Sequence, residues 1–199
     1  MIKAVLFDFG GVLAEEGFRE GLKAIAGKHG INPDMFYAVA SELVYETGYV
    51  TGGANESDYW NALRKEAGIR KDDEALRHEI LGHFVLRTEM IKIVQELKEK
   101  GFIVGILSDQ TNWLGELDEQ YDFLRHFDYV FNSYRIHKSK RDPSLFTDVC
   151  GSLGLSPEEV LFVDDNIENV QRAGAQGLKI IYFRDIDQFK TELRQLIQN

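Results

Sequence analysis

Cysteine is almost absent from this 199-residue chain. Cys150 stands alone, so no internal disulfide and no cysteine-based metal site can form. Cys150 itself reads as a small buried hydrophobe on a helix. Long apolar runs are missing too. Nothing approaches the roughly 20 consecutive apolar residues that cross a bilayer. The apolar stretch in the opening MIKAVLFDFGG is too short for a secretory leader and runs straight into Asp8 and two glycines. These absences predict a soluble, cytoplasmic protein with no membrane partner. Basic charge is also scarce: 23 Lys and Arg stand against 33 Asp and Glu, a net charge of −10. Without a concentrated basic patch, no nucleic-acid partner is expected. A small anion remains possible, because a site can be locally positive on a globally negative protein.

What is present suits a real core: 44% of residues are hydrophobic and 28% charged, enough for one domain or a domain with an insertion. Short β-type runs fall at 4–9, 102–107, 129–132, 160–163 and 179–183. They are near-continuously apolar rather than alternating, as parallel strands buried on both faces are. Helical patterns lie between the later runs, at 88–100, 143–151 and near Ile167, and 185–197 closes the chain. Strands alternating with helices predict an α/β fold with an open parallel sheet. One connection is too long. About 90 residues separate the first two strands, whereas a crossover needs only a dozen or so. Helical patterns at 18–29, 33–45, 56–67 and 72–84 fill that gap. Residues 15–86 are therefore expected to form a small helical insertion, with 1–14 and 87–199 making the sheet domain.

Ligands of open parallel sheets bind beyond the carboxyl ends of the strands. Strand one ends at Asp8, strand two at Ser108–Asp109, and strand four at Asp164–Asp165. The loop after strand three carries His137, Lys138 and Lys140. Carboxylates crowded in one crevice repel unless a cation is present, and hard oxygen ligands without Cys or clustered His select Mg²⁺ over zinc. A lysine there can neutralise a phosphoryl group and a serine hydroxyl can donate to it. A carboxylate with a free oxygen can act as nucleophile. Taken alone, Asp8 could be a turn or cap residue, and Asp164 or Asp165 could cap the helix that begins near Ile167.

LFDFGGVL, ILSD, KRDPSLF and VLFVDDNIENV, in that order, resemble the four motifs of the haloacid dehalogenase (HAD) superfamily over essentially the whole chain. The insertion resembles that family's type-one cap. Gly10 and the segment YETGYVT further resemble phosphatases related to bacterial glucose-1-phosphatase. The resemblance implies a Rossmann-like core with a helical-bundle cap, and a Mg²⁺-dependent phosphatase acting on a small phosphorylated metabolite such as a sugar phosphate. Asp8 would be nucleophile and metal ligand. Gly10 would offer its backbone carbonyl to the metal, and Asp164 and Asp165 would complete the metal set. Ser108, Asp109 and Lys140 would bind phosphate, with Arg141 standing where the family's lysine motif has its first proline. A monomer and a homodimer are equally compatible.

The chain departs from the family pattern at two places. Most family phosphatases carry Asp at the position of Gly10 as general acid and base, a role typically worth about 10²–10⁴ in rate. Glu15, Glu16 and His137 are the nearest substitutes. Asp109 replaces a frequent Asn, and a carboxylate beside phosphate is unfavourable unless it points away. Gly10 and Asp109 leave open a non-catalytic, phosphate-binding regulatory protein. A 2-haloacid dehalogenase also lacks the second acid, but carbon–halogen cleavage needs no Mg²⁺ and leaves the Asp164–Asp165 pair without purpose. Within the insertion, Tyr45, Tyr49, Tyr59 and Trp60 read as internal core. The glycine-containing segment 46–53 is expected to be lowered onto the substrate and to set its choice.

Overall fold

The computed structural model describes residues 1–197. Strands β1 (Ala4–Phe7), β2 (Ile103–Ser108), β3 (Tyr129–Asn132), β4 (Val160–Asp164) and β5 (Lys179–Tyr182) form one parallel sheet in the order β3-β2-β1-β4-β5. β1 is central. Phe7 pairs with Ile106 of β2 on one side and with Val163 of β4 on the other. Side chains alternate across a strand, and β1 shows it: Val5 and Phe7 enter one apolar cluster with Leu97 and Phe189, while Ala4 and Leu6 enter another with Leu145 and Phe162. The central strands are buried on both faces as their composition predicts. The edge strands are not. Tyr129 on β3 and Ile180 and Tyr182 on β5 are exposed; an edge strand has a neighbour on one side only, and the helices cover the middle of the sheet.

The long excursion after β1 contains α1 (Gly17–Lys28), α2 (Pro33–Glu46), α3 (Glu56–Ala67) and α4 (Asp73–Leu81). Local chemistry sets their starts. Pro33 opens α2 while the Asn32 side chain accepts from the Asp34 and Met35 N–H groups. Asn55 and Asp58 form a reciprocal capping box at α3. The helical pattern at 72–84 is shortened to α4 because Asp72 stays outside as the cap, accepting from the Ala75 N–H. Past the helix, Phe84 turns back, and its ring centroid lies 5.7 Å from that of Phe9.

The outgoing and returning chains run side by side. Ala14 bridges Leu86 in antiparallel fashion, the Glu15 N–H donates to Val85 O and the Arg87 N–H to Leu13 O. The Arg87 guanidinium, pairing with Glu15, also donates to the Gly11 and Val12 carbonyls. The remaining helices are α5 (Thr88–Glu99), α6 (Trp113–Tyr121), α7 (Ser133–Ile136), α8 (Ser144–Leu153), α9 (Ile167–Ala175) and α10 (Ile186–Ile197). Among the described residues, no helix is long and apolar enough to cross a membrane. The helical excursion packs onto the loops above the sheet through a continuous apolar layer, in which Trp60 of α3 stacks on Trp113 of α6 at 5.8 Å.

Candidate active site

The ladder between β1 and β4 extends one bond beyond β1, because the Asp8 N–H donates to Val163 O at 2.9 Å. That bond fixes Asp8 at the carboxyl end of the sheet, between the ends of β2 and β4. Its carboxylate is held from several directions. Oδ1 accepts from the Phe9 N–H at 2.7 Å and from the Ser108 hydroxyl at 2.6 Å, and Oδ2 pairs with Lys140 Nζ at 2.9 Å. The Lys140 ammonium also reaches Asp164 Oδ2 at 2.7 Å. Asp164 is fully buried and accepts further from Asn169 Nδ2 and the Asn166 N–H. One oxygen from each of Asp8, Asp164 and Asp165 lies within 4.8 Å of the others.

Burial works against the charge of Lys140, but Asp164, Asp8 and Asp109 outweigh it and hold the ammonium well above the ordinary lysine range. The acids shift the other way. Burial, with the charge of Asp8 adding to it, pushes the Asp164 carboxyl up against the pull of Lys140. The same causes push Asp165 up to about 6. Burial also raises Glu16 to about 7, with Asp165 and Asp8 adding and the Arg19 N–H opposing. Burial is the main cause of these shifts; the excess of acid is read from the geometry, where Asp8, Asp164 and Asp165 gather about the ammonium of Lys140. A divalent cation would relieve that excess, and a donor set of carboxylate oxygens with no thiol or imidazole fits Mg²⁺.

Asp109 lines the same cavity, and its carboxylate is engaged by protein donors. Oδ1 accepts from the Ser133 hydroxyl at 2.6 Å and the Lys140 N–H at 2.9 Å, and Oδ2 accepts from the Tyr45 hydroxyl at 2.8 Å. Burial and the Asp109 charge push the Tyr45 hydroxyl well above its ordinary value, so it remains a donor. Both Asp109 oxygens therefore act as acceptors toward the protein. The Asp109 side chain positions the Lys140 backbone and ties α2 to the end of β2. Asp164 and Asp165 do not cap α9; the cap is Asn166, whose side chain accepts from the Glu168 N–H at 2.9 Å.

A cavity of about 360 Å³ opens onto this cluster. Its far wall comes from Phe18 and Arg19 of α1 and from Tyr37, Ser41, Val44 and Tyr45 of α2. The α2 residues recur at helical spacing along one face, a pattern present in the sequence that by itself reads equally as core. Tyr49, Tyr59 and Trp60 are indeed buried, whereas Tyr45 borders the cavity. The segment 46–53 is not part of the wall. Residues Tyr49–Thr51 form a 3-10 turn in which Tyr49 and Val50 are buried, and the Tyr49 ring stacks on Tyr59. Burial of an aromatic side chain there outweighs exposure of a glycine-rich loop. Of the three acid–base substitutes, Glu15 is engaged by Arg87, His137 Nδ1 lies 2.8 Å from Thr51 O, and Glu16 lines the cavity.

The family model described as haloacid dehalogenase-like hydrolase matches residues 2–177. Bifunctional epoxide hydrolase 2 of Rattus norvegicus is 30% identical over 115 residues, 54% of this chain. The chain spans only about a fifth of that protein's length, the matched share being 20%. Glyceraldehyde 3-phosphate phosphatase of Methanopyrus kandleri is 24% identical over 208 residues, which cover 92% of this chain and 84% of that protein. Among solved structures, a HAD family enzyme of Bacteroides thetaiotaomicron superposes with a TM-score of 0.78 at 21% identity, over 97% of this chain and 98% of that one. The same enzyme in complex with magnesium and inorganic phosphate gives a TM-score of 0.71 at 21% identity, over 92% and 95%.

Proposed function

The chain belongs to the haloacid dehalogenase-like hydrolases, and on that premise we propose that it is a Mg²⁺-dependent phosphatase of a small phosphorylated metabolite. The observation that carries the reading is the Lys140 ammonium, 1% exposed, set between Asp8 at 2.9 Å and Asp164 at 2.7 Å in the lining of the cavity. A buried positive charge set among several carboxylates suits a site that takes both a cation and an anion. The relatives named as phosphatases, the Methanopyrus kandleri protein among them, favour the same chemistry.

In this reading Asp8 attacks phosphorus in line. A bond forms between its carboxylate oxygen and phosphorus as the bond to the leaving oxygen breaks. Water then attacks phosphorus, releasing inorganic phosphate and restoring Asp8. Ser108 and Lys140 hold the phosphoryl oxygens, and Lys140 also aims Asp8 through their ion pair. Asp8, Asp164 and Asp165, with the Gly10 carbonyl, would hold the magnesium ion. When bound, it supplies positive charge against phosphoryl oxygens and acidic ligands alike. We assign 1–14 and 87–199 to the catalytic core and 15–86 to a cap whose α1 and α2 side chains set substrate choice. The cavity volume suits a metabolite rather than a polymer.

The experiment is release of p-nitrophenolate from p-nitrophenyl phosphate, with Mg²⁺ and after chelation. Turnover that needs Mg²⁺ is expected. Phosphate binding without turnover would instead favour a regulatory binding protein.

Gly11 offers a separate check on the metal. Its φ is +78°, and a Cβ there would lie 2.1 Å from Asp165 Oδ2. Alanine must therefore move the Asp165 carboxylate as well as strain the backbone. Gly11→Ala is expected to weaken Mg²⁺ binding about 10–100-fold, the range for losing a group that orients metal ligands. Calorimetric titration with Mg²⁺ reads the change directly.

A further inference from the structure

Phosphoryl transfer to Asp8 leaves the departing oxygen in need of a proton unless the leaving group is a good one. Glycine at position 10 has none to give. An ideal Cβ on Gly10 would stand 3.5 Å from Glu16 Oε1, 3.5 Å from Phe84 Cε1 and 3.7 Å from Gln110 Nε2. Those are ordinary contact distances. The space into which a side chain at position 10 would project is thus bordered by a carboxyl group from a different part of the chain.

The other acids of the cavity are committed. Asp8 is held by Phe9, Ser108 and Lys140. Asp109 accepts at both oxygens from protein donors. Asp165 belongs to the metal set. Glu16 is engaged on one side only: Oε2 accepts from the Arg19 N–H at 2.9 Å, the bond that caps α1, and lies 3.8 Å from Arg19 Nε. That bond anchors the side chain, and Oε1 is the oxygen turned toward Gly10.

We propose that Glu16 is the general acid and base of this site, delivered from the N-cap of α1 in place of an acid on the strand-one loop. The inference rests on the phosphatase reading. As the Asp8 oxygen bonds to phosphorus and the ester bond breaks, protonated Glu16 gives its proton to the leaving oxygen. The resulting carboxylate takes a proton from the water that attacks phosphorus. Inorganic phosphate, free Asp8 and protonated Glu16 are regenerated, so protons balance over the cycle. Because Glu16 lies where the chain enters the helical insertion, the insertion supplies part of the catalytic chemistry as well as substrate contacts.

The test compares Glu16→Gln with wild type on p-nitrophenyl phosphate and on methyl phosphate, at saturating Mg²⁺. Glutamine can keep the cap to the Arg19 N–H, and thermal unfolding checks the fold. The expected result is a loss of about 10²–10³-fold in kcat/KM on methyl phosphate, whose leaving group needs the proton. On p-nitrophenyl phosphate, kcat/KM stays within about threefold, since that leaving group departs unaided. In the same variant kcat on p-nitrophenyl phosphate falls, and a burst of p-nitrophenolate stoichiometric with enzyme appears, because hydrolysis of the aspartyl-phosphate has lost its base. Adding Gly10→Asp to Glu16→Gln should recover at least tenfold on methyl phosphate, which a merely structural role would not allow. Equal losses on both substrates, or no loss on either, would overturn the proposal while leaving the phosphatase reading standing. A wild-type protein with no Mg²⁺-dependent turnover overturns both.

Discussion

Asp8→Asn is expected to abolish metal-dependent phosphate release while leaving the protein folded. Asparagine nearly matches Asp8 in shape and keeps an oxygen to accept from the Phe9 N–H and Ser108 hydroxyl, the contacts made by Oδ1. Its amide is no nucleophile toward phosphorus. Removing the nucleophile of a covalent mechanism costs on the order of 10⁴-fold or more in rate. Stability changes little by comparison: Lys140 loses one partner but retains Asp164 at 2.7 Å, and the crowding of acids is relieved. The measurement is kcat on p-nitrophenyl phosphate beside a thermal unfolding curve. The variant should still bind inorganic phosphate. Substantial turnover in Asp8→Asn would remove the nucleophile assignment and with it the covalent route.

Lys140→Met is the second large effect, and it strikes stability as well as activity. Lys140 is buried against Asp8 and the fully buried Asp164. Removing one partner of such a cluster leaves buried charge uncompensated, a loss of about 3–5 kcal/mol. The variant should recover stability as pH falls. The sign follows from the raised carboxyls: Asp165 already stands at about 6 and Asp164 above its ordinary value, and removing the lysine charge raises both further. A group whose folded pKa exceeds its unfolded value binds protons more tightly in the fold. Its stabilising contribution is complete below the unfolded value near pH 4 and is lost as pH rises through the folded one. Denaturant unfolding of Lys140→Met at pH 5 and pH 8 should therefore show the larger deficit at pH 8. A deficit independent of pH would mean that lost packing around the lysine stem, rather than unpaired charge, dominates.

Much of the architecture is legible in local pattern. Apolar runs without alternation mark β1, β2 and β4, because central parallel strands are covered on both faces. Helix starts follow from Asn32–Pro33 and Asn55, whose capping chemistry is entirely local. That Asp8, Ser108, Asp164 and Asp165 come together is legible because a parallel sheet gathers its strand ends on one edge whatever the lengths of the connections. The exposure of β3 and β5 was not legible, since strand order depends on which crossovers pass which face. The fate of segment 46–53 was equally hidden. Its glycines suggest a mobile loop, and only the place of Tyr49 among Tyr59, Trp113 and Tyr134 shows that it is packed.

Asp109 and Glu16 draw the line most clearly. Asp109 follows Ser108 directly, yet its carboxylate is held by protein donors; Glu16 is one of three candidate substitutes that the sequence offers, and it is the one that lines the cavity. The chain by itself determined the sheet, the helical excursion and a crevice of acids with one lysine, because each follows from hydrophobic period, caps and strand ends. The tertiary structure alone decided which carboxylate is tied up by protein donors and which turns an oxygen toward Gly10. That decision belongs to residues far apart in sequence. Tyr45 and Ser133 engage Asp109 across gaps of 64 and 24 positions. The start of α1 brings Glu16 to the open side of Gly10. Contacts across such separations exist only once the chain has folded, so no local pattern encodes them.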